Sequence, residues 1–319
     1  MPPKSTAIIS PQFEPVIRIV EESMTSANSK RSYRTALTQF LAYLVEHEQN
    51  QFSRAAVQRF RKHLETTGVS ASTINVRLCA VRKLADEMNL RGQLDLSTAD
   101  SIQKVKGTKR KGRKVGNWLT KEQCQTLLAA PDVRTPAGLR DRALIGAFLG
   151  CALRRAELAS LRLTDIQQRD GRWVVLDLEG KGNRIRTVPI PNQVKVMIDA
   201  WVEALKGLHK IGLGWNEDGT HEFVFVPLTK GKNPAAYGTH LSEESLYDKV
   251  VQQAAKAGLP AIHPHDLRRT FARLVHKARA PLDQIKETLG HTSMQTTEIY
   301  IGSQQNLAQA PCDLLDIWD

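Results

Sequence analysis

Three short stretches beyond residue 150 gather side chains able to act on a phosphate group. They are Cys151-Ala-Leu-Arg154-Arg-Ala-Glu157-Leu158, His265-Asp-Leu-Arg268-Arg-Thr-Phe271, and Leu289-Gly-His291 with Tyr300 nine residues after that histidine. Lys181 joins them on a Gly-Lys-Gly-Asn turn. The set holds two arginines, a lysine, two histidines and a tyrosine, with no matching carboxylate cluster to hold a metal. A phosphodiester under attack gains negative charge on its non-bridging oxygens, and catalysis is chiefly positioning and charge stabilisation. The planar guanidinium of arginine can clamp two oxygens at once and never loses its proton, so two such clamps make Mg²⁺ unnecessary. A tyrosine hydroxyl titrates near pH ~10 and becomes a nucleophile when cations lower its pKa or a base takes its proton. The leaving 5′-oxygen needs a proton, which a lysine on a turn can supply.

Taken singly, each residue has a plainer reading. Arg154 and Glu157, at i and i+3, could be a surface helix ion pair. Lys181 could be merely solvated, His291 could cap a helix after Gly290, and Tyr300 could be a half-buried aromatic. His263-Pro-His265 could be a metal fragment, but no third ligand stands at a suitable spacing, so no metal site is expected. The plain readings would all have to hold together.

These residues need elements to position them. In the first third, Tyr33, Leu37, Phe40, Leu41 and Leu44 follow one face of a helix. A second helix starts at the N-cap Ser53, buries Val57, Phe60 and Leu64 and ends by Gly68. A third buries Ile74, Leu78, Val81, Leu84 and Met88 and carries Arg77, Arg82, Lys83 and Arg91 on its other faces. Ser101 to Asn117 is rich in Lys, Arg and Gly and lacks periodicity, as a linker does. Thr120 and Gln123 then form a capping box before Cys124, Leu127 and Leu128. Leu139 to Leu161 reads as mostly helical; Trp173–Leu178 and Arg184–Ile190 read as strands joined by the turn 179–183, and Phe223–Val226 as a candidate third strand. Ser242 caps a helix through about Ala257, and helices dominate from Leu267 onward. The expected fold is therefore mainly α with a small antiparallel β-sheet. It comprises a helical domain over 14–100, a basic linker over 101–117 and an α+β domain over 118–319.

Charge is distributed unevenly along this framework. The net charge is +12, with 20 Lys+Arg against 10 Asp+Glu in residues 1–116 and 25 against 23 in the remainder. Lys104, Lys106, Lys109, Arg110, Lys111, Arg113 and Lys114 form a run with no acid among them. A polyanion partner follows from this, nucleic acid before membrane because no amphipathic anchor accompanies the run; a linker kept soluble by charge is the alternative. No stretch approaches the ~18 apolar residues of a membrane span, and the first thirteen residues do not read as a signal peptide, so a cytoplasmic location is expected. Cys79, Cys124, Cys151 and Cys312 contain no CxxC pair, which argues against a zinc site or a disulfide framework. Cys79 and Cys151 read as small core residues.

With these motifs in view, the chain resembles the tyrosine recombinase, or phage-integrase, family. That family's signature is an arginine in a G-L-R-x-x-E-L-like helix, a hairpin lysine, H-x-L-R, then L-G-H and a tyrosine. The resemblance covers residues 117–305 closely, and residues 14–100 look like the family's helical core-binding, SAM-like domain. It implies Arg154, Lys181, His265, Arg268, His291 and Tyr300 as catalytic residues and Glu157 as a supporting one. It implies a 3′-phosphotyrosine intermediate, a Holliday junction, no cofactor, and four protomers acting on two specific double-stranded DNA sites. Along the first domain and the linker, Arg77, Arg82, Lys83 and the seven basic residues of 104–114 would track phosphates, giving affinity without sequence information. The family's usual glycine is Ala152 here, expected to be tolerated inside a helix, and Arg155 stands beside Arg154. The apolar tail residues Leu314, Leu315, Ile317 and Trp318 would dock on a neighbouring protomer or on their own domain. A type IB topoisomerase, or a DNA-binding accessory protein without catalysis, is the remaining alternative.

Overall fold

The computed structural model describes residues 14–47, 51–109, 117–180, 184–209, 222–228 and 240–301. The chain divides into two compact units, Met1–Lys114 and Val115–Asp319. The first unit is all-helical: α1 Glu14–Glu22, α2 Ala27–Glu46, α3 Arg54–Thr66, α4 Ala71–Leu90 and α5 Leu96–Gln103. Ser26, Ser53, Ser70 and Asp95 cap α2 to α5, each side chain accepting from a backbone N–H three residues on. Leu37, Phe40, Val57, Phe60, Leu64, Ile74, Leu78, Val81 and Leu84, all on the expected helical faces, are buried in the core. α1 adds Ile17 and Val20 against Leu37, Ala80 and Leu84.

Two expectations for this unit need correction. Cys79 is exposed, because it lies one residue, about 100°, round the helix from buried Leu78. The unit also continues past residue 100: α5 runs to Gln103, and Ile102 and Val105 are buried with Phe60 and Leu78. The following chain is strapped along α3 and α4. The Val105 carbonyl accepts from Arg82, the Lys106 carbonyl accepts from Arg61 at 2.8 Å, and Asn75 pairs with both the N–H and the carbonyl of Thr108 at 2.9 and 3.1 Å. Unpartnered backbone groups find side-chain partners here, which is why a stretch without periodicity is nevertheless ordered.

The second unit contains α6 Lys121–Ala129, α7 Pro136–Cys151, α8 Arg155–Ala159, a three-stranded sheet, α9 Asn192–His209, α10 Glu243–Lys256, α11 Pro264–Lys277, α12 Leu282–Leu289 and α13 Met294–Ile301. Thr120 and Gln123 make both bonds of the capping box that opens α6, at 3.2 and 2.9 Å. The sheet, β1 Ile166–Arg169, β2 Arg172–Gly180 and β3 Arg184–Pro189, is antiparallel in the order β1-β2-β3. Its third strand is thus β1, not Phe223–Val226. The latter run makes an isolated bridge from Phe223 to Arg162, and its apolar residues enter the core as an irregular segment whose Val224 carbonyl accepts from buried Trp201 Nε1 at 2.7 Å. Phe148, Trp201 and Phe225 are the largest aromatics of that core. No helix among the described residues is long and apolar enough to cross a membrane.

Candidate active site

The first motif lies at a break between helices. α7 stops at Cys151, Ala152 adopts φ 50° and ψ 34°, and α8 begins after its N-cap Arg154. Ala152 is therefore not inside a helix, as expected from sequence, but at a left-handed turn, the conformation that favours the glycine it replaces. The turn points the Ala152 carbonyl at Arg268, which donates to it. Left-handed backbone costs alanine about 1–2 kcal/mol. Its methyl, fully buried with Ala272, Ile285, Leu289 and Ile301, returns about 0.8 kcal/mol, and alanine is less floppy than glycine when unfolded. The terms nearly cancel. Ala152→Gly is expected to change stability by less than about 1 kcal/mol, a Tm shift under about 4 °C by calorimetry; a larger shift in either direction would refute the balance.

Glu157 sits one turn into α8, 5 % exposed, and accepts four hydrogen bonds. Arg154 donates from its backbone N–H at 2.7 Å and from Nη1 at 2.6 Å. Arg186 donates from Nη1 and Nη2 to the two carboxylate oxygens at 2.9 and 2.8 Å. Burial alone would raise the Glu157 pKa, but the bonds from Arg186 and Arg154 outweigh it and hold the carboxyl below its usual range. The adjacent Arg155 points elsewhere, pairing with Glu243 at 3.0 Å. Of the two neighbouring arginines, Arg154 thus bonds to Glu157 and Arg155 to Glu243.

Arg268, on the second turn of α11, is 2 % exposed and donates to the carbonyls of Ala152 and Leu289. Arg154 Nη2 donates to the carbonyls of Leu289 and Gly290, at 3.2 and 2.7 Å. Both guanidinium groups therefore converge on the last turn of α12. Burial, and then the nearby Arg154, lower the Arg268 pKa to about 10, so it stays protonated at neutral pH. Gly290 caps α12 at φ 59°, and a Cβ there would lie 3.0 Å from the Arg186 side chain, so both conformation and space call for glycine.

His291 follows that cap and is buried, its Nδ1 3.0 Å from Thr297 Oγ1. Burial and the charges of Arg268 and Arg154 push its pKa down to about 4. α13 brings Tyr300 over this pair of helices. Its hydroxyl is hydrogen-bonded to His265 Nε2, its ring lies 4.8 Å from the His291 ring, and the Arg269 guanidinium carbon is 5.4 Å from its centroid. Burial raises the Tyr300 pKa, while Arg268 and Arg269 oppose that rise. Burial, then Arg269 and Arg268, lower the His265 pKa, which favours the neutral imidazole, the form able to accept a proton.

The structure thus brings Arg154, Glu157, His265, Arg268, His291 and Tyr300 together. Lys181 and the two residues after it lie outside the described residues, as do Arg110, Lys111, Arg113, Lys114 and the tail 302–319. Sequence reasoning missed Arg186. Nothing in the strand pattern Arg184–Ile190 marks a partner 29 residues away. Among the remaining basic residues, Lys104, Lys106 and Lys109 are exposed, whereas Arg77 is half-buried, Arg82 is bonded to Val105 and Lys83 pairs with Glu87 at 2.7 Å. Among the described residues no group of three or more His, Cys, Asp or Glu is placed to hold a metal.

Residues 117–306 match the Phage integrase family, and residues 17–92 match the Phage integrase, N-terminal SAM-like domain. The chain is 28 % identical over 294 residues to tyrosine recombinase XerC of Vibrio atlanticus (strain LGP32), covering 91 % of this chain and 87 % of that one. It is 29 % identical over 285 residues to XerC of Xylella fastidiosa (strain 9a5c), covering 88 % and 87 %. In fold it is similar to XerH site-specific recombinase bound to palindromic difH substrate, with a TM-score of 0.69, 20 % identity and coverage of 92 % of this chain and 81 % of that one. A lambda integrase dimer bound to a COC′ core site gives a TM-score of 0.64 at 15 % identity, covering 91 % and 75 %. With the family matched across more than half its length, the chain belongs to the phage integrase family and is a tyrosine site-specific recombinase.

Proposed function

We propose that the chain cuts and rejoins specific double-stranded DNA sites in the cytoplasm, with Tyr300 as the nucleophile. The observation that carries this reading is the Tyr300 hydroxyl bonded to His265 Nε2 beside two guanidinium groups that converge on one helix end. Tyr300 attacks a phosphodiester, its proton passing toward His265, and forms a 3′-phosphotyrosine with a free 5′-hydroxyl. Arg154 and Arg268 clamp the non-bridging oxygens, and His291 supports them. Lys181 protonates the leaving 5′-oxygen. That hydroxyl then attacks the phosphotyrosine of a partner strand, and two such rounds pass through a Holliday junction on four protomers. The phosphotyrosine conserves the energy of the broken bond, so rejoining draws on neither ATP nor another cofactor. Arg77, Arg82, Lys83 and the basic run 104–114 follow the DNA backbone, and binding weakens steeply as salt rises.

The test is a suicide substrate whose nick lets the cleaved 5′ end diffuse away. Wild-type protein is expected to accumulate a denaturant-resistant protein–DNA adduct, equally well in excess EDTA. Failure to form the adduct, or its loss on chelation and return with Mg²⁺ or Zn²⁺, would overturn the reading.

The role of Lys181 has its own signature. A 5′-bridging sulfur leaves as a thiolate with little need of a proton. Lys181→Ala is expected to be slow on ordinary DNA and to recover most of the wild-type rate on the sulfur-substituted strand. Equal impairment on both would show that Lys181 only binds or positions.

A further inference from the structure

The strand pair β2–β3, whose strands flank Lys181 in the sequence, also reaches the arginine clamp through a residue so far without a role. Between the pairs Val175↔Val188 and Leu178↔Arg186, β2 has one residue more than β3, and Asp177 within this bulge has φ 50°. In a regular strand, residues 175 and 178 would face opposite sides. The bulge lets both Val175 and Leu178 be buried, with Arg186 across from Leu178. The Arg186 side chain is 9 % exposed and committed to three acceptors: both oxygens of Glu157 and the Thr288 carbonyl, the last at 3.1 Å from Nε. Glu157 in turn holds Arg154 by its main chain and its guanidinium. Thr288 precedes Leu289 and Gly290, whose carbonyls receive Arg154 and Arg268, and lies three residues before His291.

We propose that Arg186 is a positioning residue for strand cleavage: through Glu157 it aims Arg154, and through Thr288 it fixes the helix end on which the clamp is built. This inference rests on the recombinase reading. The bidentate fork is the relevant property. A bare charge at this place could not grip both carboxylate oxygens in one plane and still reach a carbonyl on another helix. Arg186 is buried away from solvent, so its contribution is orientation, and small misplacements of a reacting group lower rates steeply.

The experiment is a double-mutant cycle on single-turnover adduct formation at saturating DNA, using full-length Arg186→Met, Arg154→Ala and the double variant. Arg186→Met is expected to slow adduct formation by about 100-fold, as a misplacement of about 1 Å does, while half-saturation in DNA stays within about threefold. In the Arg154→Ala background the same substitution should have little further effect, because residues acting through one another are not additive. Arg186→Lys should recover little of the rate. Glu157→Gln, which keeps shape and one acceptor, should give a similar loss and the same dependence on Arg154, and thermal melting identifies any variant that fails to fold. Equal slowing by Arg186→Met in both backgrounds, or a normal rate in folded Arg186→Met and Glu157→Gln, would overturn the proposal. Wild-type adduct formation in the same assay reports separately on the recombinase reading, whose failure would show as no adduct in any protein.

Discussion

Tyr300→Phe is expected to form no covalent protein–DNA adduct while binding its DNA site as tightly as the wild type. The substitution removes one oxygen, the one hydrogen-bonded to His265 Nε2, and keeps the ring that meets His291 at 4.8 Å and Arg269 at 5.4 Å. A single hydrogen bond at a half-buried position contributes about 0.5–1.5 kcal/mol to stability, so the variant should remain folded. On α13, the Thr297 hydroxyl is occupied with His291 Nδ1. The assay is a denaturing gel of suicide-substrate reactions beside a native gel shift. Adducts persisting in Tyr300→Phe would place the nucleophile elsewhere. Loss of DNA binding in step with the adduct would mean that Tyr300 serves binding instead.

Arg268→Lys should be the most damaging of the charge-conserving changes. The arginine is 2 % exposed and spans two carbonyls on different elements, at the turn after α7 and at the end of α12. Lysine keeps the charge but concentrates it at one point on a flexible stem, losing the plane that matches two phosphate oxygens. Removing one well-placed donor to a developing anion typically costs 10²- to 10³-fold, and adduct formation is expected to fall by about that factor. Lysine would also lose at least one of the two buried hydrogen bonds, at about 0.5–1.5 kcal/mol of stability. Rates and melting should therefore be measured together. A rate within about fivefold of wild type would remove Arg268 from the clamp.

Much of the site was legible because its residues are set by chemistry at short range. Arg154 and Glu157 are three apart and do bond, and the helical faces through Phe40, Phe60 and Leu78 are buried as their spacing requires. What escaped depends on distance or on backbone angle. Ala152 falls in a stretch that reads as helical, and alanine is the best helix former, yet the tertiary contacts around its carbonyl and methyl hold it at φ 50°. β1 is only four residues long and three of them are polar, so its pairing with β2 rather than its own pattern makes it a strand. The buried run Val224–Val226 has strand-like composition but spends its hydrogen bonds on Leu161, Trp201 and Leu241, which no local pattern announces. Arg186 is an unremarkable basic residue in a strand until Glu157 and Thr288 are brought to it.

The three arginines of the site all find acceptors at the end of α12, and every one of those acceptors is main chain: the carbonyls of Thr288, Leu289 and Gly290. A main-chain oxygen is present whatever side chain the codon specifies. The array that receives the guanidinium groups is therefore insulated from mutational drift at 288 and 289, provided the helix and its burial survive. Its sequence sensitivity is greatest at position 290, where the backbone is left-handed and any side chain would press on Arg186.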